Sequence, residues 1–262
     1  MSDVSFAFLG ATKYSKKLLL NLIKNNFIPK VIFAIPEEFT ISYSTEKVKN
    51  VNFSNLKKIA QRHNIRYYEI DSVEGERLND YNALVKDLNL DLILVLGWYY
   101  MIPRSTRMLT KYGAWGIHAS LLPKYAGGAP LNWAIINGEE KTGVTLFRME
   151  DGVDDGDIIA QESFPIRYTD NIGDVYKRAT KVSKKLLVDV LKNIENINFI
   201  PQDKSKIEVY PQRKKEDGEI DLKKNSNDLY NFIRAQSSPY PGAYLKTIDG
   251  KKLIIEKVRL EN

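Results

Sequence analysis

The chain contains no cysteine. That excludes a disulfide framework, a cysteine nucleophile and any thiolate-held zinc or iron–sulfur centre. Histidine is nearly as scarce, with His63 and His118 the two present, so an all-imidazole metal site is excluded too and no metal is expected. Nothing approaches the roughly 18 uninterrupted apolar residues of a membrane-spanning helix. The start Met1-Ser2-Asp3-Val4 puts an acid where a signal peptide carries bases. The expectation is a cytoplasmic protein with no membrane partner.

What is present is an ordinary globular mixture over 262 residues, 43% hydrophobic and 27% charged, with a net charge of +6. Disorder and fibrous repeats are excluded by that balance, and the length suits one large domain with a small appendage. The modest positive excess suits an anionic small molecule.

The first half alternates short apolar runs with helical patterns. Runs at 4–10, 31–35, 65–70 and 92–96 read as strands, and residues 15–25 and the stretch through Leu56, Ile59 and Ala60 read as helices. This rhythm implies βαβ units, hence a Rossmann-like α/β fold with a mostly parallel sheet and helices on both faces. Strands follow at 114–118, 143–149 and 157–164. Asn171, with Asp174 three residues on, caps a long amphipathic helix that closes the main domain near Pro201. The division expected is 1–202 for the main domain and 203–262 for a small C-terminal extension. In that extension 203–228 reads as a solvated, charge-rich linker, 229–234 as a short helix, and 243–248 and 251–260 as a hairpin about Asp249-Gly250. An isolated hairpin has free edges, so a homodimer through it is expected.

Several standard motifs are missing. One glycine follows the first strand where a dinucleotide fingerprint needs three, and there is no P-loop. Val153 occupies an EF-hand ligand position in the acidic stretch 151–157, and Ser120 lies in no nucleophile elbow. The dense region 97–161 remains. His118 ends a strand there, at the sheet edge where open parallel sheets bind ligands. It is either a proton-handling group or a satisfied structural histidine. The segment Glu150–Asp157 packs five carboxylates into eight residues. A carboxylate from it beside His118 would stabilise the imidazolium, whereas a solvated acidic turn would do nothing.

The motifs Gly116-Ile117-His118-Ala119-Ser120-Leu121-Leu122-Pro123, Ala129-Pro130, Asn137-Gly138-Glu139, Thr142-Gly143-Val144-Thr145 and Gly152-Val153-Asp154-Asp155-Gly156-Asp157 together resemble the 10-formyltetrahydrofolate-dependent formyltransferases. The likeness covers about the first 200 residues, with weaker echoes at 233–235 and 240–244. It is nearest to the sugar-nucleotide N-formyltransferases, in particular the formyltransferase half of the UDP-4-amino-4-deoxyarabinose enzyme. That would place the protein in lipopolysaccharide or O-antigen chemistry.

The resemblance implies that His118 and Asp154 are catalytic, and that 10-formyltetrahydrofolate is the formyl donor. The folate would lie along Tyr100, Met101 and Ile102, close to Gly128 and against Glu150, Asp151, Gly152, Val153 and Asp154. Core packing is expected to claim at least one of Tyr99, Tyr100 and Met101. Lys124, Tyr125 and Lys13 would meet a nucleotide-linked amino sugar, such as a 4-amino-4,6-dideoxyhexose. The departure is Gly116, which stands where the family carries asparagine. Two alternatives follow: methionyl-tRNA formyl transfer, against which the short C-terminal extension speaks, and a non-catalytic binder of folate or nucleotide sugar. Nucleic acid is not the expected partner.

Overall fold

A computed structural model of the chain describes residues 4–41, 44–72 and 76–261. In chain order its elements begin with β1 (Phe6–Leu9), α1 (Lys13–Lys24), β2 (Val31–Ala34), β3 (Glu38–Phe39), β4 (Val48–Lys49), α2 (Lys57–Arg62) and β5 (Arg66–Glu69). Then come α3 (Asn82–Asp87), β6 (Leu92–Val95), α4 (Arg104–Arg107), β7 (Ala114–His118), β8 (Ala126–Gly127), α5 (Pro130–Ile136) and β9 (Lys141–Arg148). The last are β10 (Ile158–Pro165), α6 (Ile172–Lys192), β11 (Val209–Tyr210), α7 (Ser226–Gln236), β12 (Ala243–Lys246) and β13 (Lys252–Ile255).

One seven-stranded sheet organises the molecule, in the order β10-β9-β7-β6-β1-β2-β5. Strands β5, β2, β1, β6 and β7 are mutually parallel, whereas β9 runs against β7 and β10 against β9. The later strands therefore extend the first sheet instead of forming another. Alternate side chains of each central strand enter different cores. Phe6, Phe8, Leu92 and Leu94 join the helices of one face, while Ala7, Leu9, Ile93 and Val95 join Leu78, Val85 and Phe39 on the other. Burial on both faces is why these strands read as unbroken apolar runs.

Helix α1 starts at Thr12, whose hydroxyl accepts from the Ser15 amide at 3.1 Å while the Thr12 amide donates to Ser15 Oγ at 3.0 Å. Asn171 and Asp174 build the same reciprocal cap on α6, as their spacing predicts. Tyr14 donates to Ser183 Oγ at 2.9 Å, tying α1 to α6 over one sheet face. No helix among the described residues is long and apolar enough to cross a membrane.

The chain winds outward from β1 through β2 to β5, then returns to the other side of β1 at β6. This reversal opens a crevice at the carboxyl edge of the sheet. The segment after 202 docks on the main body instead of hanging from it. Helix α7 packs on α5 and α6, and buried Asn132 donates to the Ala235 carbonyl at 2.7 Å. The C-terminal hairpin forms about its Asp-Gly turn, with strands shorter than expected, and α7 is longer than expected at both ends. The linker reading fails at Arg213, whose guanidinium lies 4.9 Å from the Trp133 ring centre and 5.5 Å from that of Phe232. Two aromatic faces offset part of the cost of drawing this charge inward.

Candidate active site

Strand β7 lies between β6 and β9, and its last residue, His118, emerges at the carboxyl edge of the parallel sheet. The ring is buried, and both nitrogens face acceptors. Nε2 lies 2.7 Å from the Tyr125 carbonyl oxygen, and Nδ1 lies 3.3 Å from Asp154 Oδ2. A carbonyl can only accept, so Nε2 carries a hydrogen in this arrangement. At Nδ1 the neighbouring acceptor is the Asp154 carboxylate.

Two loops bring these groups together. In the first, after β7, Thr145 Oγ1 donates to the Ser120 carbonyl at 2.7 Å and Ser120 Oγ donates to the Lys124 carbonyl at 2.6 Å. Ser120 is therefore a fully buried structural hydroxyl. The second loop follows β9. Asp154 Oδ2 accepts the Gly127 amide at 2.8 Å, and Gln202 Nε2 donates to the carbonyls of Asp154 and Gly156 at 2.8 and 2.7 Å. Among the described residues, the non-glycine positions with left-handed φ are three asparagines together with Tyr125, Ala129 and Asp154. The last three lie in the two loops that meet at His118, the kind of place where backbone strain is tolerated for function.

The acidic segment is sorted by its counter-ions. Glu150 pairs with Arg148 at 3.0 Å and with Arg107 at 3.5 Å, and Asp151 pairs with Arg107. Asp155 meets Lys204 and Asp157 meets Arg148, each at 2.9 Å. Asp154, by contrast, faces the imidazole. Four carboxylates hold the loop and the fifth is turned toward the pocket.

A segment from beyond α6 closes the first loop. Strand β11 pairs in parallel with β8, the Gly128 amide donates to the Tyr210 carbonyl at 2.8 Å, and Trp133 Nε1 donates to the Pro211 carbonyl at 2.9 Å. The Tyr210 ring lies 4.9 Å from that of Tyr125 and 5.5 Å from that of Trp133. A Cβ at Gly128 would overlap the Gln212 backbone, so close chain packing accounts for this glycine.

Other residues singled out in the sequence fall in different surroundings. Tyr100 and Ile102 are 6% and 4% exposed and belong to the core, whereas Met101 between them is 60% exposed. Burial pushes the Tyr100 phenol up to about 12, with the Ser72 amide opposing and Asp71 adding to the rise. Tyr125 is also buried, its hydroxyl donating to Glu139 at 2.8 Å; burial first, partly offset by Asn137 and reinforced by Glu139, raises it to about 12. Its side chain thus supports α5 while its carbonyl serves His118. Lys13 and Lys124 are exposed at the carboxyl side of the sheet, and Val153 is exposed on the acidic loop. Gly152 lies beneath the Asp155 carboxylate. At Gly116 a Cβ would stand 3.2 Å from Phe147 Cε1 and 3.5 Å from Met149 Cγ and Sδ. Apolar side chains line that side of the strand.

Residues 4–191 match the family model described as formyl transferase, and residues 213–262 match its C-terminal domain. The chain belongs to the formyl transferase family. Like the family's members, it is an enzyme of formyl transfer. It is 35% identical to a methionyl-tRNA formyltransferase of Citrifermentans bemidjiense over 265 residues, spanning 99% of this chain and 79% of that one. Its fold resembles the X-ray structure of a sugar N-formyltransferase from Shewanella sp., with a TM-score of 0.74, 19% identity and 99% of each chain covered. It also resembles an N-formyltransferase from Helicobacter canadensis in complex with folinic acid and dTDP-3-aminofucose. There the TM-score is 0.63 and the identity 22%, over 88% of this chain and 80% of that one.

Sequence reasoning missed Gln202, Tyr210, Trp133 and Arg107. Five acids within eight residues demand counter-ions, which could have pointed to Arg107 and Arg148. Nothing in the local sequence marks Gln202 or Tyr210, because their partners lie far along the chain.

Proposed function

We propose that the protein transfers the formyl group of 10-formyltetrahydrofolate to the amine of a nucleotide-linked amino sugar. The observation that carries the reading is the His118–Asp154 contact at 3.3 Å on the carboxyl edge of the sheet. The donor supplies the formyl carbon. As the acceptor nitrogen bonds to that carbon and the bond to folate N10 breaks, the amine loses a proton and N10 gains one. His118 handles these protons, and Asp154 orients the ring and steadies its charged form. No covalent adduct with the protein is needed, which agrees with Ser120 being tied to a carbonyl.

Folate would lie against exposed Met101 and Val153, with Tyr100 and Ile102 contributing through their backbone. Lys13 and Lys124, both exposed, would meet the diphosphate, and the apolar wall at Gly116 would leave stabilisation of the carbonyl oxygen to other donors. The sugar reading draws support from the near-complete mutual coverage with the Shewanella enzyme. It also draws support from the C-terminal charges. There Lys204, Lys206, Lys246 and Lys251 pair with carboxylates, and Arg213 and Arg234 are turned inward.

A second reading has methionyl-tRNA as acceptor. It is favoured by sequence relatives of that name at 28–36% identity and by the exposed Lys214, Lys215, Lys223 and Lys224. The test offers the formyl donor with either a panel of amino-sugar nucleotides or charged initiator tRNA. Formylation of a sugar amine supports the proposal. Formylation of the tRNA with steeply salt-dependent binding establishes the second reading, and binding of sugar nucleotide without turnover leaves a binder.

A further inference from the structure

The stretch 202–210 leaves α6 and touches both loops that hold the catalytic pair. Its first residue, Gln202, spends both donor hydrogens on the carbonyls of Asp154 and Gly156. These bonds hold the loop where the Asp154 backbone turns through the left-handed region, at a φ of 50°. At the other end the Tyr210 carbonyl accepts the Gly128 amide, and the Tyr210 ring packs on Tyr125. Tyr125 also has a left-handed backbone, and its carbonyl is the oxygen facing His118 Nε2. Each end of the stretch therefore governs a different nitrogen of one imidazole.

We propose that residues 202–210 form a strap in which Gln202 and Tyr210 are positioning residues for His118, Gln202 acting through Asp154 at Nδ1 and Tyr210 acting through the Tyr125 carbonyl at Nε2. This rests on the reading that His118 is the proton-handling group. The strap acts by fixing acceptors, because a ring nitrogen whose acceptor wanders delivers its proton along no fixed line. The Tyr210 hydroxyl meets Glu208 at 3.4 Å and Asn137 instead of the Tyr125 carbonyl, so the ring and the backbone carry the device.

The experiment uses the small number of histidines. With His63→Gln as background, ¹⁵N-histidine labelling leaves one imidazole, that of His118, and its two ring N–H protons can be followed separately. At a pH acidic enough for both nitrogens to carry hydrogen, both are expected to exchange slowly in the parent. Gln202→Met, which keeps the length and removes the donor, is expected to speed exchange at Nδ1 by about tenfold or more while Nε2 stays protected. Tyr210→Leu is expected to do the reverse, and Tyr210→Phe to restore the parent pattern. If both nitrogens lose protection together in each variant, with a matching drop in melting temperature, the strap merely stabilises the fold and the proposal is overturned. Unchanged exchange at both nitrogens in Gln202→Met overturns it equally. Turnover is not the readout. A parent with the expected exchange pattern but no formyl transfer would count against the proposed function, not against the strap.

Discussion

Gly127 and Asp154 are joined by a hydrogen bond from the amide of one to Oδ2 of the other, at 2.8 Å, and that same oxygen faces the His118 ring. The carboxylate is aimed by backbone before it meets the imidazole. Asp154→Asn keeps the shape and an acceptor for Gly127 but removes the charge. Its kcat for formyl transfer should fall by about 10²- to 10⁴-fold, with KM for either substrate little changed and melting near that of the parent. His118→Asn should cost at least as much. Steady-state kinetics check both, and an Asp154→Asn enzyme at parental kcat would remove the pair from the mechanism.

Gly116 tests whether a donor is wanting. An asparagine there begins at ordinary distance from Met149 but 3.2 Å from Phe147 Cε1, so the buried Phe147 ring has to give way by a few tenths of an ångström. Gly116→Asn should fold with a loss of about 1–2 kcal/mol, from repacking of that wall. Its kcat should rise by about tenfold if the new amide reaches the developing oxyanion. An unchanged kcat would mean that a backbone amide or His118 already serves.

Gly128 serves packing, with no demand for positive φ. Gly128→Ala would drive a methyl group into the Gln212 backbone and separate β8 from β11. The expected loss is about 1–3 kcal/mol in denaturant unfolding, with a larger fractional loss of kcat than Gly250→Ala, whose methyl meets nothing within 4 Å and whose strain, from a φ of 77°, falls on the hairpin turn. Equal kinetic effects would remove the link between β11 and the pocket.

Acid should expose one carboxylate in particular. Burial acts to raise Asp71, but the amide and hydroxyl of Thr40, each at 2.7 Å, and the Lys47 ammonium at 3.0 Å outweigh it and hold the group at about 2, against an ordinary 3.8. Its folded value lies below its unfolded one. The stabilisation is therefore present above the ordinary carboxylate range and is lost as pH falls from about 4 toward 2. Roughly 1–2 kcal/mol is at stake after allowance for solvent screening. Asp71→Asn should flatten the stability profile over that interval, as urea melts at a series of pH values would reveal.

The parts of this molecule that sequence reveals are those whose causes are local or periodic. Apolar runs such as 92–96 announce strands buried on both faces, and Asn171 with Asp174 marks the start of α6 to the residue. His118 stands out because it ends a strand, whereas Asp154 is singled out among the loop's five carboxylates only by the likeness to the formyltransferases. The packing of Tyr100 against Phe39 could not be distinguished from a ligand contact, since an aromatic side chain suits either. Arg213 sits in a run of charges but is held by Trp133 and Phe232, partners that only the docked α5 and α7 supply. Gln202 and Tyr210 were invisible for the same reason, because their meaning lies wholly in where α6 delivers them.

The pairing of β11 with β8 also sets an order of events in synthesis. A ribosome releases His118 and Asp154 before Gln202 and Tyr210, so the nascent polypeptide carries these two side chains on loops without their later partners until residue 210 emerges. On the proposed reading, a product stopping before residue 202 would keep the seven-stranded sheet and yet lack the contacts that hold both loops about His118.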